Sequence, residues 1–412
     1  MSVFKSIVLL RNSMSRDLVH HSLKHYIASH KGSHLIIADR ESFDPVIAEK
    51  LQLIGDVEFK CIEVYSDRIE MESTLMEVTA SERCDGQTTF IYFSEFDIMR
   101  MSHVAKAAGF DQVMSPEQAL CFRDKLKMKE SFTELNIPCA GYTPINQLSD
   151  FTRLHWENTE GMVLKPRRFG GSVGVERIRS LAEGQTYLLN NGYAKWPLDQ
   201  SFDLLAESYV GEDMIHVDGY WDGQSVRSIY VSEYLNNCMD FNANSIWGSR
   251  RLTSDSLTEQ SKHFIEKFCS ANACGTPFVY HAEFFNKGGD LVFNEIARRM
   301  AGARVSEYIY KVDGENLFLS SMNILKQDSI QYDRESHAWF SLRPNSKMKR
   351  TDIQREMLPS AVAEIHKSES LSQSPRSAMH VGDEAYWGII HYSDIEELGE
   401  NLRKIERVYY GE

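Results

Sequence analysis

The segment "YHAEFFNKGGDLVFNEIARR", residues 280–299, constrains this chain more than any other. It reads as two β-strands flanking Lys287, Gly288, Gly289 and Asp290. Each arm carries one acid, Glu283 and Glu295, inside a run of Phe, Tyr, Val, Leu and Ile, where a charge is costly unless it is paired or bound to a cation. Strand alternation groups Val279, His281, Glu283 and Phe285 on one face, and Leu291, Phe293, Glu295 and Ala297 on one face of the returning arm. A three-residue turn, Gly288 to Asp290 with Gly289 left-handed, sets the two glutamates directly opposite each other. Like charges opposed at about 5 Å repel. The arrangement makes sense with Mg²⁺ between them, because Mg²⁺ takes hard oxygen ligands, typically one or two carboxylates plus substrate phosphates. The alternative is two edge glutamates facing solvent beside Lys287 or Arg298.

Arg298 and Arg299 follow directly. A guanidinium just beyond a metal-binding carboxylate can clamp a carboxylate or acyl phosphate bidentately, and a surface salt bridge is the plainer fate. Upstream, "KPRRFGGSVGV" runs from Lys165 to Val175. Its Gly170, Gly171, Ser172, Val173 and Gly174 let backbone N–H groups converge on an anion, with Lys165 as a point charge for phosphate. No Gly-Lys-Ser/Thr follows and the next element reads as a strand, so this is no Walker A loop. A Gly-rich hairpin turn is the alternative. In "LLAESYVGEDMIHVDG", an apolar strand leads to Glu207, Ser208, Tyr209 and Val210, whose backbone can meet an adenine edge, while Glu212 or Asp213 can accept from ribose hydroxyls. By itself that segment is only a strand and a polar turn.

Around these motifs the chain alternates short apolar runs (6–10, 35–38, 59–64, 88–93) with amphipathic stretches (15–29, 45–53, 103–108), which predicts βαβ units on a parallel sheet. The first strand-to-helix turn, Arg11 to Ser15, lacks glycine, so the architecture is Rossmann-like without a dinucleotide site. Arg123, Asp124 and Lys125 open a helix that stops before Ile137-Pro138. With 412 residues, two or three domains are expected at roughly 150 each. A net charge of -14 argues against nucleic acid or an anionic membrane as partner. The seven cysteines form no CxxC pair, and neither a signal peptide nor a run of about 20 apolar residues is visible, so a cytoplasmic protein is expected.

Taken in order, these segments resemble the ATP-grasp superfamily of carboxylate ligases. The resemblance rests on Arg123 to Lys125 before Ile137-Pro138, Lys165 with its Gly-rich flap, Glu207 with Gly211, and the two-glutamate hairpin ending in Glu295 to Arg299. It implies an α/β (α+β) fold: a Rossmann-like pre-ATP-grasp domain over 1–115, a small lid subdomain over 116–205, a large subdomain over 206–330 and a C-terminal α+β lobe over 331–412. It also implies that Lys125 and Lys165 contact ATP phosphates under the loop Gly170 to Gly174, and that Glu207, Ser208, Tyr209 and Val210 hold adenine. Glu212 or Asp213 then holds ribose, Glu283 and Glu295 hold Mg²⁺ or Mn²⁺, and Arg299, with Arg298, serves the acyl phosphate.

Two positions depart from the family pattern. Ala297 stands where many members carry Asn, so one metal ligand is missing or replaced by water. Arg167 and Arg168 stand where small residues are common, and are expected as a solvated pair. The implied activity converts a carboxylate to an acyl phosphate, with ADP and phosphate as products, and joins it to an amine, the substrates being an amino acid or peptide. Transfer to a carrier-protein thiol is one alternative, and a nucleotide-binding regulator without turnover another. Trp247, Arg250, Arg251 and Gly302 are the candidate substrate contacts, the first three from the segment Asn236 to Arg251. A homodimer is the default expectation.

Overall fold

The computed structural model describes residues 2–11, 16–40, 42–64, 68–154, 156, 160–197, 199–236, 246–273, 275–343, 353–368 and 384–410. Its first part follows the alternation of apolar runs: β1 (Phe4–Leu10), α1 (Arg16–Ser29), β2 (Ser33–Asp39), α2 (Pro45–Gln52), β3 (Asp56–Ile62), α3 (Arg68–Thr79), β4 (Thr89–Tyr92) and α4 (Glu95–Ala107). The strands form a parallel sheet in the order β3-β2-β1-β4. All seven residues of β2 are buried, as a strand covered on both faces requires. The sequence reading passed over α3, which buries Met71, Leu75 and Val78 against this sheet.

Next come α5 (Pro116–Cys121) and α6 (Lys125–Glu134). Asp124 caps α6 by accepting from the Leu126 amide at 3.0 Å. A small antiparallel sheet follows, built from β5 (Tyr142–Ile145), β6 (Met162–Pro166), β7 (Glu176–Ile178) and, after α7 (Leu181–Asn190), β8 (Leu204–Ser208), in the order β5-β8-β6-β7.

The rest of the chain runs through β9 (Met214–Trp221), β10 (Val226–Tyr234), β11 (Trp247–Arg251), α8 (Asp255–Asn272), β12 (Phe278–Lys287), β13 (Asp290–Ala297), α9 (Val305–Asp313), α10 (Leu317–Ser321), β14 (His337–Leu342), β15 (Val362–Lys367), β16 (Tyr386–His391) and α11 (Ile395–Tyr410), and its strands form the largest sheet. Its order is β13-β12-β9-β10-β11-β14-β16-β15, so the C-terminal strands extend the sheet that begins with the glutamate hairpin. One face packs Phe284 and Phe293 against Phe122, Phe132 and Phe268. The other carries Tyr220, Tyr230, Trp247 and Trp339, covered by α9, α10 and α1. Among the described residues, no helix is long and apolar enough to cross a membrane.

The hairpin turn differs from the expected three-residue form. Lys287 pairs with Asp290, leaving a two-residue Gly288-Gly289 turn with both φ positive, at 63° and 105°. Such a turn matches the strand twist only where both central residues tolerate φ above zero, which glycine does.

Candidate functional site

A regular ladder from that two-residue turn would set Asn294 opposite Glu283 and turn Glu295 into the apolar core. Instead, the register shifts between Glu283 and Phe284: Phe284 pairs with Phe293, and Glu283 pairs with Glu295. Asn294 is the extra residue of a β-bulge. Phe293 stays in the core and Asn294 on the glutamate face, where its amide nitrogen donates to Glu283 Oε2 at 3.2 Å, and the bulge adds Glu295 to that face. The two glutamates are therefore opposed as expected, by a bulge and not by turn length.

Strand β9 continues this face. His216 pairs with Glu283 and Asp218 with His281, so four polar side chains meet on strands that are otherwise apolar. Asp218 accepts from both imidazoles, at 2.6 Å from His216 Nδ1 and 2.9 Å from His281 Nδ1. His281 Nε2 lies 3.6 Å from Glu283 Oε1, which also accepts from the Tyr234 hydroxyl at 2.9 Å. Burial alone would discharge His281, but the Asp218 carboxylate overrides it and lifts its pKa to about 9. Burial likewise opposes ionisation of Glu283, yet the hydrogen bond and charge of His281 hold it down at about 2. Glu283 is thus an anion at neutral pH despite its burial.

Cations face the pair. Successive turns of α6 carry Lys125 and Lys129. Lys125 Nζ lies 3.0 Å from Glu295 and donates to the Phe169 carbonyl at 2.6 Å. Lys165, at the end of β6, lies 2.9 Å from Glu207 and donates to Asn294 Oδ1 at 3.3 Å. Lys129 completes a sealed triad, 3.5 Å from Glu207 and 3.3 Å from the Phe293 carbonyl. Glu207 is accordingly held between two lysines. From the parallel sheet, Glu95 at the start of α4 binds Arg299 and Arg123, each at 2.6 Å. Burial would raise the Glu95 pKa, but the two guanidinium charges outweigh it and bring it down to about 2.

The Gly-rich loop joins β6 to β7 above this cluster. Gly171, Ser172 and Gly174 have positive φ, at 62°, 59° and 70°. A side chain on Gly174 would meet Pro166 at 2.9 Å, and the Gly174 carbonyl accepts from the Tyr187 hydroxyl at 2.7 Å. At the loop's near end, Gly170 lies against Glu95, whose Oε1 a Cβ would meet at 3.2 Å. Arg167 and Arg168 are not a solvated pair: both bind the buried Asp124, at 2.6 and 3.2 Å.

The segment after β8 links the small sheet to the large one. The Ser208 amide donates to the Gly141 carbonyl at 2.8 Å, and the Tyr209 hydroxyl to Glu212 at 2.9 Å. Val210 is half-buried, while Glu212 and Asp213 are exposed.

The candidate substrate residues hold a range of positions around the site. Arg250 binds Glu233 at 2.5 Å, on the register positions opposite the glutamate face. Arg251 is buried in an ion pair with Asp313 of α9 at 2.8 Å. Trp247 is buried and stacks with Tyr234, centroids 5.6 Å apart, which puts it one side chain away from Glu283. Gly302 lies in the turn between Arg299 and α9. Arg298 binds none of the site's carboxylates among the described residues; its guanidinium rests over the rings of Tyr92 and Phe278, at 4.8 and 5.5 Å. Residues 237–245 of the expected substrate segment lie outside the described residues.

Sequence reasoning gave no role to Glu95, Lys129, Asn294, His216, Asp218, His281 or Tyr234. Glu95 carried a usable signal, an acid just past the carboxyl end of a parallel strand, where open α/β sheets bind their ligands. The alternation of His216 and Asp218 with apolar neighbours was a second. The opposed carboxylates and the Asn294 amide form the hard-oxygen set that Mg²⁺ requires. Lys125, Lys165 and the left-handed loop form the cationic, N–H-rich surround that a triphosphate requires.

No family model matches the chain. A curated relative, the L-arginine-specific L-amino acid ligase of Bacillus subtilis, is 25% identical over 218 residues, 50% of this chain and 50% of the relative. The chain thus matches about half the length of that relative. Among solved structures, the L-amino acid ligase from Bacillus licheniformis superposes with a TM-score of 0.69 at 12% identity, covering 98% of both chains. The N5-carboxyaminoimidazole synthetase from Staphylococcus aureus, solved with ADP, gives a TM-score of 0.62 at 12% identity over 99% of both.

Proposed function

We propose that this chain, which carries the ATP-grasp fold, is an ATP-dependent ligase that activates a carboxylate as an acyl phosphate and joins it to an amine, with amino acids as the substrate class. The observation that carries this reading is the bulge-enforced opposition of Glu283 and Glu295 in front of Lys125 and Lys165. The amino-acid class is favoured by the resemblance to the L-arginine-specific ligase.

In this reading Lys125 and Lys165 exchange their present partners, Glu295 and Asn294, for phosphate oxygens. The loop over Gly170 to Gly174 covers those phosphates and excludes water, and the segment from Glu207 to Asp213 borders the base and ribose. Glu283 and Glu295 would hold Mg²⁺, which when bound neutralises phosphate charge. A substrate carboxylate oxygen attacks the γ-phosphorus and ADP leaves. The amine nitrogen then attacks the acyl carbon, loses a proton and expels phosphate. Arg299, fixed by Glu95, faces the charge that develops on the transferred group, which is where preorganised cations act most strongly.

Pairwise screening of amino acids with ATP and Mg²⁺, reading phosphate release and product mass, tests this. A coupled product whose mass equals both amino acids less one water supports it. Phosphate release without any coupled product, across all pairs, overturns it.

A further inference from the structure

Strand β13 leaves β12 after the pair His281 and Ala297, so the first residues of β12 keep an open edge on that side. β4 is itself an edge strand of the parallel sheet. A cavity of about 210 Å³ lies between these two open edges, lined by residues that include Tyr92, Phe93, Phe278, Arg298, Ser321 and Asn323. Its size suits a small organic molecule and not a single ordered water.

Its composition is uneven. Tyr92, Phe93 and Phe278 provide apolar walls, and Ser321 and Asn323 provide polar groups. The outer edge of β4 adds backbone N–H and C=O groups with no strand partner among the described residues. Arg298 and Arg299 are the cations in this setting, and Arg299 is paired with Glu95. The Arg298 Nε is sealed from solvent without a hydrogen bond, and no carboxylate pairs with Arg298 among the described residues. Contacts with two rings do not replace a counter-charge for a half-buried guanidinium. Burial pulls its pKa down to about 10.

We propose that this cavity binds the α-carboxylate of an amino-acid substrate, with Arg298 as its bidentate anchor, the side chain against Tyr92 and Phe278, and the ammonium toward the open carbonyl edge of β4. Naming the ligand as a substrate rests on the ligase reading. Arg298 and Arg299 are consecutive and both line the cavity, so a ligand held by the first lies beside the second, which Glu95 fixes in the reaction centre. Arg298 is then a specificity residue for one of the two amino acids.

Calorimetric titration of the intact protein without ATP, using a panel of L-amino acids and their carboxamides, tests the pocket. The expected result is binding of at least one amino acid, at least tenfold weaker binding of its carboxamide, and a loss of at least tenfold in Arg298→Gln. Ser321→Phe, which fills the cavity and leaves the cation, is expected to lose binding as well and serves if Arg298→Gln does not fold. Absence of binding to the wild type, equal affinity for acid and amide, or displacement by inorganic phosphate as readily as by amino acids overturns the proposal. The two readings fail separately. Carboxylate-dependent binding without ATP turnover on any pair sinks the ligase and leaves the pocket standing. Turnover with an unchanged KM for both amino acids in Arg298→Gln sinks the pocket and leaves the ligase.

Discussion

Glu95 and Arg299 are 204 positions apart in the chain and 2.6 Å apart in space. The contact ties the parallel sheet to the end of the glutamate hairpin, and the same carboxylate takes Arg123 at 2.6 Å. The folded-state pKa of Glu95, about 2, lies below the ordinary 4.5. Its contribution to stability is therefore full above about pH 4.5 and is lost as the pH falls through about 2, amounting to about 3 kcal/mol at 1.36 kcal/mol per unit. In Glu95→Gln, unfolding free energy at neutral pH is expected to drop by up to that amount, and its decline between about pH 5 and pH 3 to become shallower. Urea titrations across that range check both; an equally steep decline in the variant contradicts the assignment.

Asn294 is the bulged residue on the glutamate face, where it donates to Glu283 and accepts from Lys165. Asn294→Ala keeps the backbone and removes both bonds. Turnover is expected to fall by about tenfold or more, the cost of one or two charged hydrogen bonds at roughly 1.5–3 kcal/mol each, while the fold stays intact. Steady-state kinetics beside a circular-dichroism melt separate the two effects.

Lys129 has no exposed surface and neutralises Glu207 together with Lys165. Replacing it with Met leaves Glu207 to draw Lys165 more strongly, so ATP affinity is expected to weaken by about tenfold, roughly 1.4 kcal/mol, with less effect on the rate at saturation. A fluorescent nucleotide displacement assay reads this; unchanged affinity would mean Lys165 never leaves Glu207.

Gly174 has a φ of 70° and no room for a Cβ beside Pro166. Gly174→Val is expected to misplace the whole loop, lowering turnover at least tenfold and exposing residues 167–175 to proteolysis. Limited digestion with and without ATP checks it, and full protection of the variant by ATP would contradict the covering role given to the loop.

The hairpin and the βαβ alternation were legible because apolar periodicity is local: residues 4–10, 33–39 and 278–297 carry their own pattern. Opposition of Glu283 and Glu295 was also legible, although its cause was not, since a bulge depends on which neighbours Phe293 and Asn294 meet in three dimensions. Glu95 and Lys129 could be read only as a strand-end acid and a helix lysine, because their partners lie 204 and 78 positions away. Arg250 and Arg251 hold protein partners that the sequence did not reveal. A polar stretch near a suspected site suggested ligand contacts, whereas the register sends Arg250 to Glu233 and tertiary packing commits Arg251 to Asp313.

In the proposed reaction a carboxylate attacks the terminal phosphate of ATP in front of Glu283 and Glu295. Supplying an accepted amino acid with ¹⁸O in its carboxyl group and following the released phosphate by ³¹P NMR tests it most directly. The expected products are ADP and phosphate carrying one ¹⁸O, with no transfer in Glu295→Gln. Label appearing in AMP, or phosphate released without label, would contradict it.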